Sequence, residues 1–174
     1  EDAPDDALRE RFEIGSAMAQ TGQTTSGWSR GPATIATSVL GTEVAVMLCV
    51  DEPDLMERFF RVLADLLVRM HRLRAAWDGK EVLGVGILDD NCALFSPGLY
   101  RRFCFPVWQT LARELAPEPG DMRYQHSDSG MEHLLPILAE LELTGANFGP
   151  TLLASSIRAA MPHTVIHGQL APFT

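Results

Sequence analysis

Between residues 51 and 76, Leu55, Phe59, Val62, Leu66, Met70 and Leu73 recur at three- and four-residue spacing among polar neighbours. The spacing predicts a long helix with this stripe as its buried face, opened by Asp51 as cap and Pro53 in the first turn. A second helix is predicted after Ser96-Pro97, with Leu99, Phe103, Val107 and Leu111 on one stripe and a kink at Pro106. A third opens at Ser129, which has capping-box spacing to Glu132 and precedes Met131, Leu134, Leu135, Leu138 and Leu141. Weaker helical patterns cover residues 6–19, 33–46 and 151–160.

Short β-type runs lie between these helices: Val82 to Leu88, Met122 to Gln125, Gly145 to Phe148 and Thr164 to His167, with Thr24 to Ser29 as a candidate ahead of them. Strand alternating with helix implies βαβ units around a parallel sheet, and five such units in a row fit a barrel better than a two-layer fold. A closed barrel of eight strands takes about 250 residues, and the chain has 174. The prediction is therefore an α/β fold, an incomplete (β/α)8 TIM barrel with about five of its eight βα units. It forms a single partial domain over residues 1–174, in which Gly168 to Thr174 reads as a loop after a strand.

Composition changes the picture in four ways. An apolar content of 46% with 21% charged residues suffices for one packed core, which excludes global disorder. A net charge of −9 argues against a nucleic-acid partner, because phosphate binding needs a concentrated basic face. No apolar run approaches the roughly 20 residues of a membrane span, and the acidic start from Glu1 to Asp6 is unlike a signal peptide, giving the expectation of a cytoplasmic protein. Cys49, Cys92 and Cys104 are scattered without CxxC spacing and read as buried free thiols.

In parallel α/β folds the ligand site gathers at the carboxyl ends of the strands, and here those ends are polar four times over. Asp89, Asp90 and Asn91 follow one run, His126, Ser127 and Asp128 the next, then Asn147, then His167 and Gln169. Such groups have no packing reason to recur there, since each buried unpaired one costs about 1–3 kcal/mol. His126 and Asp128, two apart on an extended segment, project to the same side. They suit either a divalent ion such as zinc or metal-free proton transfer. Of Asp89 and Asp90 only one can face the mouth, and Asp90 is taken as the working group. Arg30, Asp89, Asn91, Tyr100, Arg101, Asn147 and Gln169 are the candidate substrate contacts, the arginines for a carboxylate. Met131, Phe103 and Trp108 are read as core.

Several pieces occur in a telling order: Arg30-Gly31-Pro32-Ala33-Thr34-Ile35-Ala36 with Gly41, then Asp89-Asp90, Ser96-Pro97 with Tyr100 and Pro106, then His126-Ser127-Asp128, Asn147, and Gly168-Gln169-Leu170-Ala171-Pro172. From about residue 25 onward this order resembles the uroporphyrinogen decarboxylase superfamily. Its members include the haem-pathway decarboxylase and methyltransferases that move methyl groups to or from corrinoid proteins. The resemblance implies a decarboxylase-like enzyme acting without a cofactor on a tetrapyrrole or related polycarboxylate, with His126, Asp128 and Asp90 as the catalytic groups. The alternative it implies is a methyltransferase with zinc on His126 and Asp128, working with a corrinoid protein as partner. A third reading is a non-catalytic barrel that only binds a ligand. Two departures bear on the choice. Ser38 stands where the decarboxylase branch has a tyrosine, and Asp128 stands where the methyltransferase branch has the cysteine of a His-x-Cys motif.

Overall fold

The computed structural model describes residues 27–169 apart from 78, 80 and 83, together with Glu13. The helix expected over 6–19, Glu13 excepted, and residues 24–26 of the first expected strand lie outside the described residues. Five strands, β1 (Trp28–Arg30), β2 (Gly84–Leu88), β3 (Met122–Ser127), β4 (Gly145–Phe148) and β5 (Val165–Ile166), pair in parallel in the order of the sequence. Sequential parallel strands with helical crossovers are the connection rule of a (β/α)8 barrel, and these five strands form that much of one.

Between β1 and β2 run three helices, α1 (Pro32–Leu40), α2 (Thr42–Asp51) and α3 (Pro53–Trp77). A single helix over 33–46 was the expectation. Instead, α1 and α2 meet at a bend of 106° at Gly41, which ends the first helix in a positive-φ conformation. After β2, a 3₁₀ turn (Asp90–Leu94) leads into α4 (Pro97–Leu99), a π turn (Tyr100–Cys104) and α5 (Phe105–Leu115). Ser96 caps this segment by accepting from the Leu99 amide at 3.3 Å. The expected disturbance at Pro106 takes the form of the π turn just before it, since proline has no N–H to return to the preceding turn.

The buried face of α3 corrects the sequence reading. Met56, Phe60, Leu63, Ala64, Leu67, Val68 and His71 are buried, whereas Leu55, Val62, Leu66 and Leu73 are exposed. Two apolar stripes run side by side on this helix, and periodicity does not rank them. The buried one carries Phe60, whose ring lies 5.7 Å from that of Phe103 on the neighbouring helical segment. The segment after β3 is also less regular than expected. A 3₁₀ turn (Glu132–Leu134), the short α6 (Leu135–Leu138) and a second 3₁₀ turn (Ala139–Leu141) replace one helix. Ser129 forms no capping box there; its hydroxyl pairs with that of Ser127 at 2.8 Å. The apolar residues Met131, Leu134, Leu135, Leu138 and Leu141 are buried all the same. Helix α7 (Ala154–Ala160) precedes β5. Among the described residues no single helix is long and apolar enough to cross a membrane.

Strand alternation sorts the side chains into two layers. On the helix side, Val85, Ile87, Gln125 and Ser127 are fully buried, and the Trp108 indole N–H donates to Gln125 Oε1 at 3.1 Å. A Trp108→Phe variant is expected to lose about 1–3 kcal/mol in chemical denaturation, because Gln125 is left with an unpaired buried oxygen. On the opposite side, Arg30, Leu88, His126 and Asn147 align in register at the carboxyl ends of the strands. One step below them Trp28 and Tyr124 alternate in register with Gly86 and Gly145, and their rings meet edge to face at 4.9 Å. The polar row sits on an aromatic one.

Candidate active site

The end of β2 is fastened on both sides. Gly31 donates to the Leu88 carbonyl at 2.8 Å, and the Asp89 amide donates to the His126 carbonyl at 2.9 Å. From there the two neighbouring acids part. Asp89 is fully buried, and its Oδ1 accepts from the Thr34 amide at 2.8 Å, in the first turn of α1. Gly31 has no side chain with which to cap that helix, so Asp89 supplies the cap from the adjacent strand. Asn91 binds the same helix: its amide donates to Thr34 Oγ1 at 3.2 Å and its Nδ2 to Thr37 Oγ1 at 2.7 Å. Both residues were expected to contact substrate. The structure makes them ties between the β2 loop and α1 instead, because burial and the free amides of α1 claim their side chains.

Burial pushes the Asp89 carboxyl up to about 6, against the opposing pull of its hydrogen bonds to Thr34. The folded chain thus holds this proton to higher pH than an unfolded chain, where aspartate titrates near ~3.9. The stabilising contribution is full below ~4 and is lost as pH rises through about 6. Urea unfolding is expected to show the metal-free protein gaining stability between pH 7 and pH 5, by on the order of 1–2 kcal/mol from this group. Asp89→Asn should lack that part of the pH dependence.

Asp90 goes the other way, into solvent at the mouth. Its Oδ1 accepts from the Asp128 amide at 2.8 Å, which ties the β2 loop to the end of β3. His126 Nε2 lies 3.8 Å from Asp90 Oδ1 and 3.6 Å from Asp128 Oδ2. One ligand atom from each of the three residues lies within 4.8 Å of the others. His126 and Asp128 therefore do share one side, and Asp90 joins them. On its far side the imidazole is engaged through Nδ1, 2.6 Å from Asn147 Oδ1.

The remaining candidates divide. Arg30 is exposed at the end of β1, in the interior-facing row. Asn147 faces His126 rather than open space. Tyr100 is fully buried, which raises its phenol, and it belongs to the core instead of the mouth. Arg101 points to the outer surface and pairs with Glu140, while Arg102 pairs with Glu57 at 2.7 Å, so neither arginine reaches the site. A helix that starts at the rim carries only its first turn there, and these residues have already rotated away. Gln169 is spent on backbone, with Oε1 accepting from the Phe148 amide at 3.2 Å and Nε2 donating to the Gly149 and Leu152 carbonyls at 3.2 and 2.9 Å. All three cysteines are buried and free, as expected.

Sequence reasoning passed over Tyr124, whose hydroxyl lies 3.1 Å from His167 Nδ1, and Thr34, the helix residue that receives both Asp89 and Asn91. The signal for Tyr124 was its i, i+2 relation to His126, which puts it on the same strand face.

Parallel strands in sequential order, with imidazole, carboxylate and amide groups collected at their carboxyl ends, define an α/β barrel with a strand-end site. The sequence matches the family described as uroporphyrinogen decarboxylase (URO-D) over residues 8–174, and the chain belongs to that family. A solved structure of a methyltransferase from Methanosarcina mazei shares its fold with a TM-score of 0.73 at 16% identity, over 94% of this chain and 49% of that one. The chain thus spans about half the length of that protein. No curated protein matches the sequence.

Proposed function

We propose that this chain carries part of the active site of a divalent-cation-dependent enzyme, with Asp90, His126 and Asp128 as ligands and zinc as the first choice of ion. The observation that carries the reading is the convergence of the three ligand atoms within 4.8 Å of one another. Ligands about 2.1 Å from a tetrahedral ion stand roughly 3.4 Å apart, close to the separations at His126 Nε2. One imidazole and two carboxylates are a sound donor set for zinc and for harder divalent ions. When bound, zinc supplies Lewis acidity that favours the deprotonated form of a coordinated thiol or water. The chain's own part is to hold the two carboxylates and the imidazole to one point, through the Asp90 link to the Asp128 amide and the Asn147 contact behind His126.

Group transfer is the reaction class we favour, with a corrinoid protein as the partner. It is supported by the structural likeness to a methyltransferase. Asp128 in place of a cysteine makes the ligand set harder and less electron-donating than a thiolate site. Metal analysis of the protein purified without chelator tests the reading: about one equivalent of zinc or a similar ion is expected.

A second reading, favoured by the same geometry, is metal-free. His126, 3.8 and 3.6 Å from two carboxylates, is placed to act as a general acid or base in the decarboxylation of a tetrapyrrole or other polycarboxylate. Arg30, in the same row, is then the group for a substrate carboxylate. A folded protein that binds no divalent ion would favour this reading over the first.

A further inference from the structure

Asn147 stands on β4 between His126 and the end of β5, and both ends of its amide are in use. Nδ2 donates to the His167 carbonyl at 2.6 Å. A carbonyl oxygen only accepts, so this contact decides which end of the amide is nitrogen. Oδ1 must then be the atom 2.6 Å from His126 Nδ1, and since an amide oxygen has no proton to give, Nδ1 carries the hydrogen. The lone pair of a neutral His126 is left on Nε2, the nitrogen that faces Asp90 and Asp128.

The turn after β5 is shaped around this amide. The His167 N–H donates to the Ala146 carbonyl at 2.8 Å, which fixes the strand end. Gly168 follows at φ +81°, and a Cβ there would collide with Asn147 Nδ2. Gln169 then fastens the turn to the backbone beyond β4 through Phe148, Gly149 and Leu152. The path runs without a gap from the β5 turn through Asn147 to His126.

We infer that Asn147 is a positioning residue that sets the tautomer and ring direction of His126, and that the Gly168 turn holds Asn147 in that role. The inference rests on the metal reading for its effect on affinity, but the tautomer itself does not depend on it. Outer partners of a metal-ligating histidine typically matter 10–100-fold for affinity.

Long-range nitrogen–proton NMR of the metal-free full chain reads the His126 tautomer directly, and zinc titration reads affinity. Wild type is expected to show the Nδ1–H form. Asn147→Leu, which keeps the size and removes the acceptor, should shift the ring toward Nε2–H and weaken zinc binding by roughly 10–100-fold. Asn147→Asp should restore the Nδ1–H tautomer, because a carboxylate oxygen accepts the same hydrogen, but not the full zinc affinity, because it has no hydrogen to donate to the His167 carbonyl. If Asn147→Leu does not fold, Gly168→Ala takes its place, since it displaces the amide without removing it. A folded variant with the wild-type tautomer and wild-type zinc affinity would overturn the inference. Absence of zinc binding in wild type would sink the metal reading, while the tautomer comparison would still decide the role of Asn147.

Discussion

Gly31→Ala is expected to cost about 4 kcal/mol of stability, far more than adding one methyl group at a surface position. A Cβ at residue 31 would fall inside the contact distance of Asp89 Cβ and Cγ. Asp89 has nowhere to retreat, since it is fully buried and bound to the Thr34 amide. Overpacking of this kind costs roughly 1–3 kcal/mol. Loss of a helix cap adds about 1 kcal/mol, and a displaced buried carboxyl that loses its donor adds on the order of 1 kcal/mol more. The exposed Ser38→Ala, on the same helix, is the control and should stay within about 0.5 kcal/mol of wild type. Chemical denaturation of the two variants side by side checks the argument, which fails if Gly31→Ala loses less than about 1 kcal/mol. The damage should reach the site as well, because the same loop carries Asp90.

The second large effect concerns the proposed ligands. His126→Ala removes the nitrogen ligand and leaves Asp90 and Asp128 facing each other. Its zinc affinity should fall by more than the roughly 100-fold that loss of an outer partner costs. Asp128→Ala should behave similarly. Asp128→Cys restores the His-x-Cys pattern of the methyltransferase branch and is expected to bind zinc at least as tightly as wild type, since thiolate is the better zinc donor. Competition with a chromogenic chelator measures all three. A His126→Ala protein with undiminished affinity would place the ion somewhere else.

Much of this architecture is legible in the amino-acid sequence, for reasons that individual elements show. The strands announce themselves because a parallel sheet buried on both sides needs short apolar runs, and Gly145 to Phe148 is found where it was read. The pairing of His126 with Asp128 follows from strand alternation alone. The α3 face was misread because two stripes with the same period compete, and only the tertiary partner Phe103 decides between them. Two of the expected substrate contacts are engaged within the fold for a different reason. A polar residue at a strand end can face the mouth or satisfy the first turn of a neighbouring helix, and Asp89 and Asn91 do the second. Rotation along a helix removed Tyr100 and Arg101 in the same way. Tyr124 went unremarked because a tyrosine inside a strand reads as an ordinary β-former. What distinguishes it is His167, just after β5, a contact between segments 43 residues apart that no local pattern encodes.

Cobalt titration of the metal-free protein, followed by visible absorption, reads occupancy of the proposed metal site. A saturable 1:1 complex at Asp90, His126 and Asp128 is expected, displaced by zinc and absent in His126→Ala. No saturable absorption in a folded wild type, or an equal signal in His126→Ala, would contradict the metal reading.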